Sequence, residues 1–502
     1  MKNNLKTLGQ LLFAKLKIDL DEVPLEKFAS YIAVEYYLTI EDEPPPDATN
    51  LEKVHRYLEA FHHLCQVQDW ERASKILSIR LGTSSNEELH EQLGTWGYYR
   101  EQIALYSKLL GKLNPSRDST FLNGLGSAYY FLGNYRQALD YFQKTFVIEL
   151  EIGNRYGEGR TLGNLGNIYH ALGEYRQAIV YHQQHLAIAQ EIGDRYGEGT
   201  TLGNLGNVYY ALGRYEKAIT CHSQYLAIAQ EIGDRYGEGT ALGNLGNVYY
   251  ALGRYQEAIT CHYQYLAIAR KIGNLQGEVN ALGNLGITYD SLGEYARAID
   301  YHQQALAIAR EIGSRQVEGT VLGNLGSAYL SLGSYDQAIA CYQQYLYIAQ
   351  KIGNRAGVGT ALSNLGMVYS KRNMGNPAEN LEQAMNCLQQ GLEIARQIGD
   401  RYGEETALNN LGMVYSERII GNRTNNLEQA ICYLQHSLEI SRDIGNRRGE
   451  AEALKNLADT YPQVGNRTLA LEYCDRALSI AIELGIPLVK ECQELKEKLL
   501  SE

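Results

Sequence analysis

Residues 201–240 return, with few changes, as residues 241–280, and the hexapeptide Leu-Gly-Asn-Leu-Gly-Asn stands at 162–167, 202–207 and 242–247. A chain that copies itself every 40 residues is not built around one globular core. Each copy is a small supersecondary unit that hides its apolar face only by stacking on the next. The second Leu of the motif marks the register: Leu125, Leu165, Leu205, Leu245, Leu285, Leu325 and Leu365, then, after steps of 46 residues, Leu411 and Leu457.

The unit reads as a pair of helices. Leu202, Leu205, Gly206 and Tyr209 fall at i, i+3, i+4 and i+7, one face of a first helix (helix A). Tyr215, Ala218, Ile219, His222, Leu226 and Ala229 make a second such face (helix B). Gly213, and Gly193 before it, suit the left-handed position that ends a helix. Asp194 then caps the next helix A, and its equivalents Asn154, Asp234, Asn274, Ser314, Asn354, Asp400 and Asn446 are all capping types. Glycines inside helix A are costly unless helices approach closely there, and Gly206 facing Ala218 would permit that approach. The periodicity therefore predicts an all-α solenoid.

Leu205, Gly206, Tyr209, Tyr215 and Ala218 sit where the tetratricopeptide repeat places Leu, Gly, Tyr, an aromatic and a small Ala. The chain resembles that family over about 116–486. The resemblance implies a right-handed α-solenoid that binds other proteins. Its Leu-Gly-Asn run is similar to the Leu-Gly-Asn adaptors of spindle orientation and, more distantly, to kinesin light chains. The Asn-Leu-Glu-Gln-Ala insertions are similar to helical-repeat proteins of cyanobacteria. The chain departs from the short repeat in having Leu for Trp, no Pro ending helix B and a longer inter-repeat segment.

Residues 1–47 read as a helical accessory segment ending in a stiff Pro44-Pro45-Pro46 linker, and 48–115 as two degenerate hairpins around Trp70 and Gly97. Nine repeats fill 116–486, and 487–502 form a capping helix. Six-residue insertions at 371–380 and 417–426, rich in Asn and Arg, fall in A–B turns and are expected to form a lip.

The face of helix A opposite its packed side carries a nearly uniform row: Asn164, Asn204, Asn244, Asn284, Asn324, Asn364, Asn410 and Asn456. In tetratricopeptide solenoids this face lines the concave groove. An Asn amide both donates and accepts, so the row suits capture of an extended peptide backbone. Three residues on, Asn167, Asn207 and Asn247 give way to Ile287, Ser327, Met367 and Met413. The expected site is a polar segment of those asparagines flanked by Tyr130, Tyr210 and Tyr250, followed by an apolar pocket at Met367 and Met413. An alternative stays open: the Asn row bonds neighbouring helices and keeps the stack in register.

Other chemistry is set aside on repeat logic. His182, His222, His262 and His302 share a position with Phe142, Tyr342 and Leu388, so it is a packing position and no metal is expected. The 8 cysteines form no Cys-x-x-Cys pair. No Walker A sequence, zinc-protease motif or nucleophile elbow occurs, and no cofactor is implied. A formal charge of −12 argues against nucleic acid, and no apolar run is long enough for a membrane span. The start lacks a signal-peptide core, which points to the cytoplasm. The expectation is a non-enzymatic adaptor for a protein or peptide partner. A receptor that changes pitch on binding a short signalling peptide is the second reading, and an activity in the first 115 residues a remote third. Oligomeric state is not readable.

Overall fold

The computed structural model describes residues 2–40, 44–45, 48–81, 87–372, 375–417 and 421–501. Among these there are twenty-five α-helices and two short 3-10 helices, with extended pairing confined to a bridge between Arg80 and Glu88. None of these helices is long and apolar enough to cross a membrane. Two compact units, residues 1–168 and 169–502, divide the chain.

In the first unit, helices Lys2–Leu16 and Leu25–Thr39 precede three hairpins: Asn50–Gln66 with Trp70–Leu77, Leu89–Thr95 with Tyr99–Leu109, and Pro115–Phe131 with Tyr135–Glu151. Tyr57, Phe61, Leu64, Ile76, Leu89 and Leu109 are fully buried at their centre. Asp69 caps the Trp70 helix and accepts from Tyr31 at 2.7 Å and from Arg72 at 2.7 Å, and Arg72 also donates to the Leu16 carbonyl at 2.7 Å. That network pins the N-terminal helices onto the first hairpin. Of the proline stretch, Pro44 and Pro45 are described, while 41–43, 46 and 47 lie outside the described residues.

The second unit is a right-handed α-solenoid of hairpins. A typical one pairs helix A Arg195–Ala211 with helix B Tyr215–Ile232. Gly213 at φ 69° ends helix A and Gly233 at φ 72° ends helix B, in the left-handed region that only Gly enters at no cost. Asp194 and Asp234 each accept from the backbone of the third residue of the following helix at 2.9 Å. Such caps contribute ~1 kcal/mol apiece.

The glycine inside helix A answers to a different neighbour from the one expected. A methyl group on Gly206 would lie 2.5 Å from the His222 ring, not against Ala218. Phe142, Tyr342 and Leu388 occupy the same seat over Gly126, Gly326 and Gly366. His182, His222, His262 and His302 are buried there with Nδ1 unpartnered. Burial lowers them, His182 to about 3 and the other three to about 4, so they are neutral packing groups. All eight cysteines are free thiols.

The insertions are partly helical. Helices Pro377–Ile398 and Arg423–Ile444 are 22 residues long, so among the described residues part of each insertion extends helix B by a turn at its start. Asn376 and Asn422 cap those turns. Asn380 is buried and donates to the Arg372 carbonyl at 3.1 Å, and Asn426 is buried too. Asn373 and residues 418–420 lie outside the described residues.

Within this unit the winding meets itself. The A–B turns at Gly173, Gly213 and Gly253 lie against Ile444, Leu484 and Pro487, respectively. The groups that meet are five or six hairpins apart along the chain.

Candidate functional site

The inner face of helix A is formed because Leu202, Leu205 and Val208 bury the opposite side, leaving Asn204 and Asn207 half-buried one turn apart. Helix Arg235–Ala251 repeats the arrangement with Asn244 and Asn247. Asn207, Asn244 and Asn247 line a cleft of about 390 Å³ together with Tyr210, Tyr175 and His170. Its far wall is Tyr402, from the first turn of helix Arg401–Glu417, and Asn446, the cap of helix Arg447–Thr460. Those two arrive there because the winding meets itself.

No side-chain hydrogen bond to the described residues uses the amides of Asn204, Asn207, Asn244 or Asn247. Asn446 is occupied: its Oδ1 accepts from Gly449 N–H at 3.0 Å, and its Nδ2 donates to Glu405 at 3.5 Å. Glu405 is 5 % exposed and stands where other repeats carry Gly199, Gly239, Gly319 or Gly359. The Ser437 hydroxyl donates to it at 3.3 Å. Burial first, then the nearby Glu452, pushes its carboxyl up to about 7. Arg448 pairs with Glu452 at 3.0 Å. Burial lowers His170 and raises Tyr210, so both are neutral at pH 7. The cleft is thus lined by amides, phenols and the two uncharged imidazoles of His170 and His222, with Ala211 and Val248 between them, a surface for neutral polar groups flanked by aromatic rings.

The residues expected from sequence divide into three groups. Asn207, Asn244, Asn247 and Tyr210 come together in the cleft, with Asn204 on the same helix face. Asn164 and Asn167 lie in the first unit, where Asn164 Nδ2 donates to Asn123 Oδ1 at 3.0 Å, a staple between neighbouring helices. Asn456 makes the same kind of bond to Asn409 at 3.0 Å. Asn284, Asn324, Asn364, Met367 and Met413 are half-buried and line no part of this cleft. Tyr130 packs on Phe131 and Tyr135, and Tyr250 bonds Ser291 at 2.8 Å. His170, Tyr175, Tyr402 and Asn446 were missed, and His222, read only as a packing residue, also borders the cleft. Tyr402 repeats Tyr156, Tyr196 and Tyr236, so nothing in its own sequence sets it apart. Among the described residues no group of three or more His, Cys, Asp or Glu is arranged to hold a metal.

The hairpin geometry and repeat chemistry define an α-helical repeat protein. The tetratricopeptide repeat model matches residues 116–191, 157–231, 196–271, 237–311 and 318–381, together more than half of the chain, which therefore belongs to the tetratricopeptide repeat family. No curated protein matches it. Among solved structures it is similar to a Rap protein complexed with competence and sporulation factor: 17% identity, TM-score 0.48, over 70% of this chain and 99% of that one. Aspartyl phosphate phosphatase F from Bacillus subtilis is similar at 17% identity and TM-score 0.47, over 75% and 96%. A tetratricopeptide repeat protein from Parabacteroides merdae is similar at 15% identity and TM-score 0.38, over 58% and 99%.

Proposed function

We propose that the second unit holds an extended peptide segment of a partner protein in the cleft between Asn207, Asn244, Asn247 and the Tyr402–Asn446 wall, and that the chain acts as a non-enzymatic adaptor in the cytoplasm. The observation that carries this reading is the set of unspent amides, spaced at the repeat, beside the ring of Tyr210. Amides in that state pair with both groups of a peptide bond. A volume of about 390 Å³ suits a short segment, within the range of small-ligand pockets. Display of random peptides against the purified chain supplies a ligand. Changing Asn207 and Asn244 to Ala is expected to weaken it by about tenfold or more, with the melting temperature unchanged. A large fall in melting with affinity intact would instead make these asparagines staples like Asn164.

A second reading is a receptor whose winding changes on binding. It is favoured by the far wall coming from two hairpins four to six places beyond those of Asn207 and Asn244, so an occupant touches both sides of the contact that closes the winding. A change in radius of gyration on peptide addition supports it, and unchanged scattering at saturation removes it.

A further inference from the structure

The contact that closes the winding is made from groups the second unit carries again elsewhere. On one side are the Leu-Gly pairs of the A–B turns, Leu212-Gly213 and Leu252-Gly253. On the other are the ends of helix B and the residues just after them. A methyl group on Gly445 would lie 3.2 Å from Leu212, one on Gly173 3.5 Å from Ile444, and one on Gly485 3.7 Å from Leu252. Tyr215, Val248 and Ala251 join Leu438, Leu484 and Ile486 in one apolar cluster.

Burial at equivalent positions records the effect. Ile444 and Leu484 are each 7 % exposed, whereas Ile192, Ile232, Ile272, Ile312 and Ile352 at the same place in earlier hairpins are 36 to 41 % exposed. On the opposite edge Leu212 and Leu252 are half-buried, but Leu292 and Leu332 are 44 % and 49 % exposed. The unit therefore displays spare halves of a contact it makes internally. The winding pairs hairpins five or six apart, and among the described residues nothing lies against Gly293 or Gly333 as Ile444 and Leu484 lie against Gly173 and Gly213.

We propose that these edges form a head-to-tail self-association surface, with Leu292-Gly293 and Leu332-Gly333 of one copy seated on the Ile192, Ile232 and Ile272 edge of a second. The occupant is a second copy because the geometry and residue types continue an interface already present in the molecule. Two unlike surfaces meet, so the contact is heterologous. The next two A–B turns carry the inserted helical turns, which limits this edge to two leucines and makes assembly concentration-dependent. The inference is independent of the peptide reading, because none of the leucines and isoleucines of the two proposed edges lines the cleft.

Sedimentation velocity over a wide concentration range tests it on the full chain. The unaltered protein is expected to gain mass with concentration. Leu292→Arg with Leu332→Arg on one edge, or Ile232→Arg with Ile272→Arg on the other, is expected to raise the dissociation constant about tenfold or more. A mixture of the two variants should form a one-to-one dimer and nothing larger, since each keeps the half the other lacks. Melting curves separate lost association from lost fold, and Gln at the same positions serves if Arg lowers the melting temperature. A monomer at every concentration, or association unaffected by either pair of changes, overturns the proposal.

Discussion

Two glycines one repeat type apart answer to opposite physics. Gly206 has the His222 ring against it, so a methyl group there has no room, although Ala is the better helix former. Gly206→Ala is expected to cost ~1–3 kcal/mol in denaturant unfolding through overpacking. Gly283 is different: the nearest group to an added methyl is Asn324 at 3.9 Å, because Ala305 stands where other hairpins have Tyr225 or Tyr265. Gly283→Ala is expected to stabilise by ~0.5–1 kcal/mol in the same assay. The histidines add a pH signature. Their folded pKa values, about 4 at His222, His262 and His302, lie below the unfolded value near 6.5. Their contribution is thus present above pH 6.5 and is lost as pH falls towards 4. Glu405, raised to about 7, acts in the opposite sense, its contribution being present at low pH and lost as pH rises through 7. Four histidines outweigh one carboxyl, so melting temperature is expected to fall on acidification. His222→Phe, copying Phe142, should flatten that dependence. A melting series from pH 7 to pH 4 checks it.

At the level of the helix, the junction from B to the next A is held by a repeated ion trio. Glu318 is buried between Arg310 at 2.9 Å and Arg315 at 2.8 Å, and Glu450 likewise between Arg442 and Arg447. Burial alone would raise the Glu318 carboxyl, but the two guanidiniums outweigh it and hold it below the usual carboxylate range. Its stabilisation is therefore present above the unfolded carboxylate pKa and is lost as pH falls below it. Glu318→Gln is expected to lower stability by ~1–3 kcal/mol at neutral pH and by little at pH 3, measured by urea unfolding at both. These helices were largely legible in the sequence. Capping residues and Leu-Gly turns are local signals, and Asp194, Asp234 and Gly213 do in the structure what their types imply. The insertions were less legible. Asn-rich stretches look like loops, yet Asn376 and Asn422 use the same chemistry to start a helix a turn early, and Asn380 turns inward.

For the second unit as a whole, the sequence holds the hairpin but not the pitch. Asn207, Asn244 and Asn247 were found because each sits on a predictable helix face, and Tyr402 and Asn446 were not, because they reach the cleft only through accumulated rotation over four to six hairpins. That rotation is a sum of small angles, none of which has a residue signature of its own. Deleting residues 281–320 removes one whole 40-residue unit and leaves its neighbours compatible. The prediction is nevertheless a lower melting temperature and a broader transition by calorimetry, since Ile444 would no longer arrive at Gly173. In an open array, nearest-neighbour terms alone would make such a loss mild. Nearly identical repeats are prone to unequal recombination, which adds or drops units without spoiling any hairpin. Here a unit gained or lost between Gly253 and Ile444 would throw the winding out of phase, so the number of repeats in that stretch is itself a structural constant, held by geometry while the sequence of each copy drifts.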